Sequence, residues 1–144
     1  SYYPDKWIEP YNSRRIKCGL QMYKTLGITP RDKEKQVNQW ASNYRAFDAP
    51  VMLLFFMDKH MNTGSYLDYG MFLQSIMLAA VEQGLATCPQ ASLADYSEII
   101  KSTLDYPDSI LLCGMSLGYE DKEALVNSYR TPRAEIDTFT RYFT

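Results

Sequence analysis

The chain has 144 residues, of which 46% are apolar and 22% are charged, and this is ordinary for one globular domain with a hydrophobic core. A net charge of -2 gives no electrostatic reason to expect nucleic acid or a membrane as a partner. No signal peptide opens the sequence, and no apolar stretch reaches the ~20 residues of a membrane span. The three cysteines are an odd number and form no C-x-x-C pair, so we expect buried thiols in a reducing, cytoplasmic location. With a single His, we expect no metal site.

Two amphipathic helices are predicted in the first 46 residues. In residues 13–26, apolar side chains recur at steps of three and four, and Gly27 stops the helix. The second helix covers residues 32–46, and its apolar side includes Trp40 and Tyr44. Because these two rings lie one helical turn apart, they are candidates for a pocket that holds an aromatic substrate. Packing in a core or an interface is the alternative for both.

The middle of the chain predicts a buried strand followed by a buried helix. Residues 51–57, VMLLFFM, form a continuous apolar run that is typical of a central strand covered on both faces. The helix begins near Ser65, where Asp68 completes a capping box, and it ends at Gly84. It has no wide polar face, which predicts burial on most sides, either in a core or in a subunit interface.

A tight bend follows this helix. Residues 85–88 read as a short buried strand, and Pro89 is expected to stop it. The bend leaves free backbone N–H groups beside Gln90, Ala91 and Ser92. These groups are suited to holding a flat ligand that accepts hydrogen bonds, with plain core packing as the alternative.

The last third of the chain repeats the alternation of helix and strand. Residues 93–104 predict an amphipathic helix, residues 110–117 a second buried strand, and the remainder a polar tail with spaced apolar residues. No linker or internal repeat divides residues 1–144, so a single domain is predicted. Helices mixed with strands indicate the α+β class with a mixed sheet.

Six short motifs, taken in their order and spacing, resemble the nitroreductase family of FMN-dependent oxidoreductases. They are FDAP from Phe47, DYG from Asp68, LAAVEQGL from Leu78, TCPQA from Thr87, CGMSLGY from Cys113, and RTPR from Arg130 with Asn127 before it. The resemblance implies that family's α+β sandwich, in which a mixed central sheet is flanked by helices. It also implies an intertwined homodimer, with the apolar helix packed against the partner.

The resemblance also assigns regions to the chain. Residues 1–46 would form a helical pocket or cap, residues 47–126 the core, and residues 127–144 an extended C-terminal arm. Members of the family begin with an Arg-rich phosphate-binding segment that this sequence lacks. We therefore expect the chain to be the C-terminal two-thirds of a nitroreductase-like domain.

The family places a backbone N–H from the loop after its proline on flavin N5. In this sequence that position is Ala91, which follows Pro89 and is flanked by Gln90 and Ser92. A fixed donor at N5 orients the ring and tunes its electronics without an ionisable side chain. The resemblance thus implies cofactor-based chemistry with no catalytic side chain.

The resemblance further implies a basic residue on the FMN phosphate, and Arg133 is the first candidate with Arg130 as the second. The implied reaction is a ping-pong transfer of hydride from NAD(P)H, through the flavin, to a small-molecule electron acceptor such as a nitroaromatic or a quinone. Two alternatives stay open. The chain is a non-catalytic dimeric interaction or flavin-binding domain on the same scaffold, or it belongs to a relative with other flavin chemistry, such as reductive dehalogenation or flavin cleavage.

Overall fold

The computed structural model describes residues 2–143, which form two compact units. The first unit contains residues 2–6 and Asp32–Glu120, and it holds the sheet. The second contains Trp7–Arg31 and residues 121–143. The boundaries at residues 46 and 126 stay a prediction.

The sheet of the first unit has three strands, β1 (Val51–Asp58), β2 (Ala86–Gln90) and β3 (Ser109–Gly118). Their spatial order is β1-β3-β2, and β3 is antiparallel to both neighbours. The α+β class is confirmed, but every neighbouring pair in the described residues is antiparallel, so the mixed sheet is not seen there. The reason is that β3 inserts between β1 and β2, which run in the same direction but do not touch as neighbours.

The prediction that residues 51–57 form the central strand is wrong, since β1 lies at an edge and β3 is central. An apolar run indicates that the side chains of a strand are buried, but it does not show whether the strand pairs with one neighbour or with two. The sequence therefore could not tell which of β1 and β3 is the central strand. The most buried strand is β3, where Met115 has no exposed surface.

The prediction that Pro89 ends a buried strand is also wrong. The strand β2 continues through Pro89 to Gln90, and both Cys88 and Pro89 are exposed. Proline is tolerated because β2 is an edge strand, where a missing N–H can face away from the ladder. The expected buried thiols are found only at Cys113, since Cys18 and Cys88 are both exposed.

The long apolar helix is α3 (Thr63–Glu82), and it begins before the predicted Ser65. Its N-cap is Asn62, whose side-chain oxygen accepts a hydrogen bond from the Thr63 amide at 2.8 Å, so the predicted capping box is not used. Gly84 takes the left-handed conformation after the helix, with φ of 71°, as predicted. One face of α3 packs on the core cluster of Phe55, Cys113 and Met115 through Tyr69, Leu73, Ile76 and Met77.

A second apolar face of α3 stays open in this chain. Leu67, Met71, Leu78 and Val81 follow one another at helical spacing, and between 61% and 70% of each side chain is exposed. The helix is therefore buried on one side and not on most sides, as far as the described residues are concerned. Within residues 2–143, no helix combines the length and apolarity that crossing a membrane requires.

Two of the predicted helices are split. Residues 32–46 form α2 (Lys33–Ala41) and then a 3₁₀ stretch, Ser42–Asp48, which we call the 42–48 segment. Residues 93–104 form another 3₁₀ stretch, Ala91–Tyr96 (the 91–96 segment), followed by α4 (Ser97–Leu104).

The second unit is built on a helix near the start of the chain, α1 (Tyr11–Thr25); the numbering α1–α4 follows chain order. Gly27 follows it in the left-handed conformation, with φ of 64°. The other regular elements of this unit are short 3₁₀ turns at Leu125–Ser128 and Ile136–Thr138. Gln21 donates from Nε2 to the Arg130 carbonyl at 3.4 Å, which ties α1 to the C-terminal residues.

The end of α4 gives a first stability prediction. Asp105 sits there in the left-handed conformation with φ of 59°, and the Lys101 carbonyl accepts the next amide, from Tyr106, at 2.9 Å. Because a β-carbon strains this conformation and glycine lacks one, Asp105→Gly should raise the free energy of unfolding by about 0.5–1 kcal/mol. Thermal unfolding at fixed protein concentration should show a rise of about 2–4 °C. The matched Asp105→Ala should lower the midpoint, and the reverse order of the two variants would contradict the assignment.

Candidate functional site

Ala91 is the first residue after β2, an edge strand of the sheet. The register pairs Pro89 with Met115 of β3, and the pairing ends with Gln90 and Gly114. Proline has no N–H, so it occupies a position whose nitrogen faces away from the neighbouring strand. Because this direction alternates along a strand, the Ala91 N–H two residues later should face the same open edge. Ala91 itself is half-buried.

Gln90, the residue before Ala91, is almost completely buried, with 2% of its surface exposed. Ser116 of β3 donates from Oγ to Gln90 Oε1 at 2.5 Å, and Gln90 Nε2 donates to the Asn43 carbonyl at 2.5 Å. Both ends of the side chain are therefore used inside the protein. Any contact of Gln90 with a ligand would have to come from its main chain.

The 91–96 segment is held on β3 by a close approach. A β-carbon on Gly114 would lie 2.2 Å from Cδ1 of Leu93, which is 7% exposed. A side chain at position 114 would therefore force Leu93 to move from its present packing on the strand. This contact holds the 91–96 segment close against β3.

Three aromatic rings form a cluster at the same segment, and one of them, Tyr96, is its last residue. The rings of Trp40 and Tyr44 meet edge to face at 4.8 Å, and those of Tyr44 and Tyr96 at 5.2 Å. The hydroxyls of Tyr44 and Ser92 are both buried, and neither has a hydrogen-bond partner in the described residues. Ser92 is nevertheless close enough to lower the pKa of Tyr44, so the structure brings together two predicted site residues that are far apart in the sequence.

Partial burial raises the pKa of the Tyr44 hydroxyl above its usual value, and the neighbouring Tyr96 and Asp95 raise it further. The hydroxyl therefore stays protonated at neutral pH and remains available as a donor. Trp40 leaves 51% of its surface exposed, so the aromatic cluster is open on one side.

The backbone of the 42–48 segment is strained where it leads into β1. Ala46, Phe47 and Asp48 are consecutive left-handed residues with φ of 55°, 51° and 60°. Such conformations cost of order 1–3 kcal/mol each in residues with a β-carbon, and they concentrate at functional sites. The segment returns to extended backbone at Ala49, before Pro50, as the FDAP motif predicts.

The two predicted phosphate ligands belong to the second unit and are both exposed. Arg133 donates from Nη1 to Thr131 Oγ1 at 2.6 Å and to the Thr131 carbonyl at 3.0 Å. Arg130 donates from Nη1 to the Asn127 and Tyr129 carbonyls at 2.8 and 3.0 Å. These contacts use one nitrogen of each guanidinium group, whose other N–H groups suit an oxyanion.

Sequence reasoning proposed Trp40, Tyr44 and residues 89–92 but did not name three of their neighbours in the structure, which are Asn43, Tyr96 and Ser116. Asn43 acts through its main chain, so no residue type could have identified it. Ser116 could have been noticed as a polar residue inside an apolar strand, which usually has a buried partner. In residues 2–143, no group of three or more His, Cys, Asp or Glu side chains is placed to hold a metal ion.

Comparison with known proteins gives a consistent result. The family described as "Nitroreductase family" matches residues 18–119. The chain is similar to a 4-nitrobenzoate reductase of Pseudomonas putida, with 41% identity over 99% of this chain and 63% of the relative. It is also similar to a chloronitrobenzene nitroreductase of Comamonas testosteroni, with 36% identity over the same shares of the two chains.

Solved structures extend the similarity to the fold. An FMN- and NADPH-dependent nitroreductase NfnB from Sphigopyxis sp. strain HMH superposes with a TM-score of 0.96 and 39% identity, covering 100% of this chain and 65% of that one. The FMN-dependent NfnB of Mycobacterium smegmatis, solved with NADPH, gives 0.91 and 29%, covering 99% and 66%. The chain therefore spans less than two thirds of the length of these relatives.

Proposed function

Because this chain belongs to the nitroreductase family, we propose that the protein of which it forms at least part is an FMN-dependent oxidoreductase that reduces nitroaromatic compounds with NAD(P)H. Relatives named for 4-nitrobenzoate and chloronitrobenzene support a nitroaromatic acceptor. Solved relatives described as FMN- and NADPH-dependent support the cofactor and the reductant. A quinone is a second acceptor of suitable chemistry. We place the enzyme in the cytoplasm.

The observation that carries this proposal is the position of the Ala91 amide. Ala91 is half-buried and directly follows the edge strand β2, the Gln90 side chain is turned inward and the Pro89 nitrogen cannot donate, so the Ala91 N–H is the donor expected at the open edge. This arrangement fits a ring nitrogen that accepts one hydrogen bond, as N5 of the isoalloxazine does. Pro89, Ser92 and the main chain of Gln90 would flank the ring.

FMN, when bound, supplies the chemistry of accepting a hydride and passing it on, which explains why the site needs no acid–base pair of its own. The residues of this chain would bind and orient the reactants. The Ala91 N–H would fix the ring, and the Arg133 guanidinium, with Arg130 in support, would hold the phosphate.

We propose that Trp40 and Tyr44 form a wall of the acceptor pocket. Their edge-to-face contact presents aromatic surface on which a nitroaromatic ring can pack. The buried Tyr44 hydroxyl, which stays protonated, is a hydrogen-bond donor next to that surface. Hydride donor and acceptor would use the same ring face in turn, so initial-rate plots at varied concentrations of both should give the parallel lines of a ping-pong mechanism.

We also propose a homodimer in which the open face of α3 meets the partner. The family resemblance implies such an assembly, and the exposed row of Leu67, Met71, Leu78 and Val81 supplies the apolar surface that it needs.

The phosphate assignment predicts the effect of Arg133→Ala. Loss of a charged hydrogen bond is worth about 1.5–3 kcal/mol, so the Kd for FMN should rise about 10- to 100-fold. Fluorescence titration of the flavin-free protein measures this Kd. Arg141→Ala, which removes another exposed arginine of the same C-terminal stretch, is the control and should leave the Kd unchanged. If Arg130→Ala weakens FMN and Arg133→Ala does not, the two roles are exchanged.

The proposed activity is tested with protein purified from its complete coding sequence. It should be yellow, should unfold at a higher temperature with added FMN, and should oxidise NADPH when given 4-nitrobenzoate. A colourless protein that FMN does not stabilise would overturn the proposal. A stable dimer without flavin or NADPH oxidation would instead favour a non-catalytic interaction domain on the same scaffold.

A further inference from the structure

We propose that Gln90 is a positioning residue whose buried side chain sets the direction and the rigidity of the Ala91 N–H. The inference rests on the proposed flavin site. It assigns to Gln90 no contact with the flavin through its side chain.

The first step is the burial of the amide. Gln90 and Met115 have the largest side chains that are fully buried in the described residues. A buried primary amide is unfavourable unless its oxygen and nitrogen both find partners, and here each end has one, Ser116 Oγ and the Asn43 carbonyl. Such satisfied networks rigidify and specify one arrangement of a core.

The second step concerns the parts of the structure that the hydrogen bonds of the Gln90 side chain connect. Ser116 belongs to the central strand β3, and Asn43 belongs to the 42–48 segment, which carries Tyr44 into the aromatic cluster. Gln90 is the last residue of β2. One side chain therefore links the strand end, the sheet centre and the wall of the proposed acceptor pocket.

The third step is covalent geometry. The Ala91 N–H lies in the peptide plane that follows the Gln90 α-carbon, and its direction depends on the Gln90 torsions, which are φ of -128° and ψ of 94°. Rotation about ψ would swing the N–H away from the open edge. Holding the Gln90 side chain from two sides opposes that rotation, while Leu93 on Gly114 holds the segment beyond.

The test uses Gln90→Leu, which keeps the approximate volume but breaks both hydrogen bonds, and Ser116→Ala, which breaks one. Gln83→Leu makes the same change at an exposed glutamine after α3 and serves as the matched control. In the flavin-free protein, the NMR order parameter of the Ala91 N–H should fall in Gln90→Leu from a rigid value of about 0.85 towards 0.6. It should fall less in Ser116→Ala and stay constant in Gln83→Leu.

The second measurement is FMN binding. Gln90→Leu should raise the Kd about tenfold and shift the visible absorption bands of the bound flavin, with a smaller effect in Ser116→Ala. If Gln90→Leu only lowers the unfolding temperature and leaves the order parameter, the Kd and the spectrum as they were, Gln90 is a core residue and the inference is wrong. If Gln90→Leu does not fold, Ser116→Ala decides by the same measurements. A wild-type protein that binds no FMN would defeat the proposed function, while the order parameters would still test the role of Gln90.

Discussion

Replacing Ala91 by proline should reduce kcat/KM for NADPH-dependent reduction of 4-nitrobenzoate by about 10²–10³-fold, the range measured when one preorganised donor is removed from an active site. Proline deletes the N–H proposed to face flavin N5 and keeps a small apolar side chain at this position. Ala91 is the first residue of the 91–96 segment, where proline is well tolerated. Gln90 before it is already extended, as the residue preceding proline must be.

The control for this prediction is Ala91→Gly, which keeps the N–H and should stay within a few-fold of wild type. Circular dichroism and the unfolding temperature of Ala91→Pro should match those of the wild-type protein. Full activity in a folded Ala91→Pro would show that the Ala91 N–H has no part in the reaction.

Replacing Leu78 by aspartate should convert the proposed dimer to a monomer. Burying the carboxylate in an apolar interface should cost about 2 kcal/mol in each copy. Because a two-fold interface carries the change twice, the Kd of the dimer should rise about a thousandfold. Sedimentation at several micromolar concentrations measures this shift.

Two variants separate the interface from general effects. Leu78→Met keeps the apolar face of α3 and should remain dimeric. Ile99→Asp places the same charge on α4, where the replaced side chain is 65% exposed, and should also remain dimeric. If Leu78→Asp assembles as tightly as the wild-type protein, another surface holds the copies together.

The sequence predicted most helices and strands because their apolar periods are local. It could not rank β1 and β3, since both are apolar runs and only pairing across the sheet makes one of them central. It also misjudged Pro89, because a proline ends an inner strand but is tolerated at an edge, and edge position is a property of the whole sheet.

The same limit applies to the site. The resemblance pointed to residues 89–92 and the helical spacing pointed to Tyr44, but neither predicted that Gln90 turns inward while Tyr44 lies close to Ser92. Gln90 contacts Ser116, which is 26 positions away in the sequence, and Asn43, which is 47 positions away. The contact with Asn43 depends on the path of the 42–48 segment after α2. The left-handed residues of this segment, Ala46, Phe47 and Asp48, are not glycines, so nothing in the sequence indicated their conformation.

The helix α3 shows what an apolar pattern can and cannot tell. Its lack of a polar face predicted burial on most sides, but within the described residues one face packs on the core cluster and the opposite apolar face is exposed. Whether another chain covers the exposed face depends on assembly, which a local sequence pattern does not encode.

The central claim is that the Ala91 amide holds the flavin, and one titration tests it directly. Protein labelled selectively with ¹⁵N-alanine is titrated with FMN, and the Ala91 resonance is identified by its loss in Ala91→Gly, where the unlabelled glycine amide gives no signal. The account predicts that, among the alanine amides, the Ala91 proton shows the largest chemical-shift change and reaches its plateau as the FMN site saturates. An Ala91 resonance that stays in place while FMN binds would contradict it.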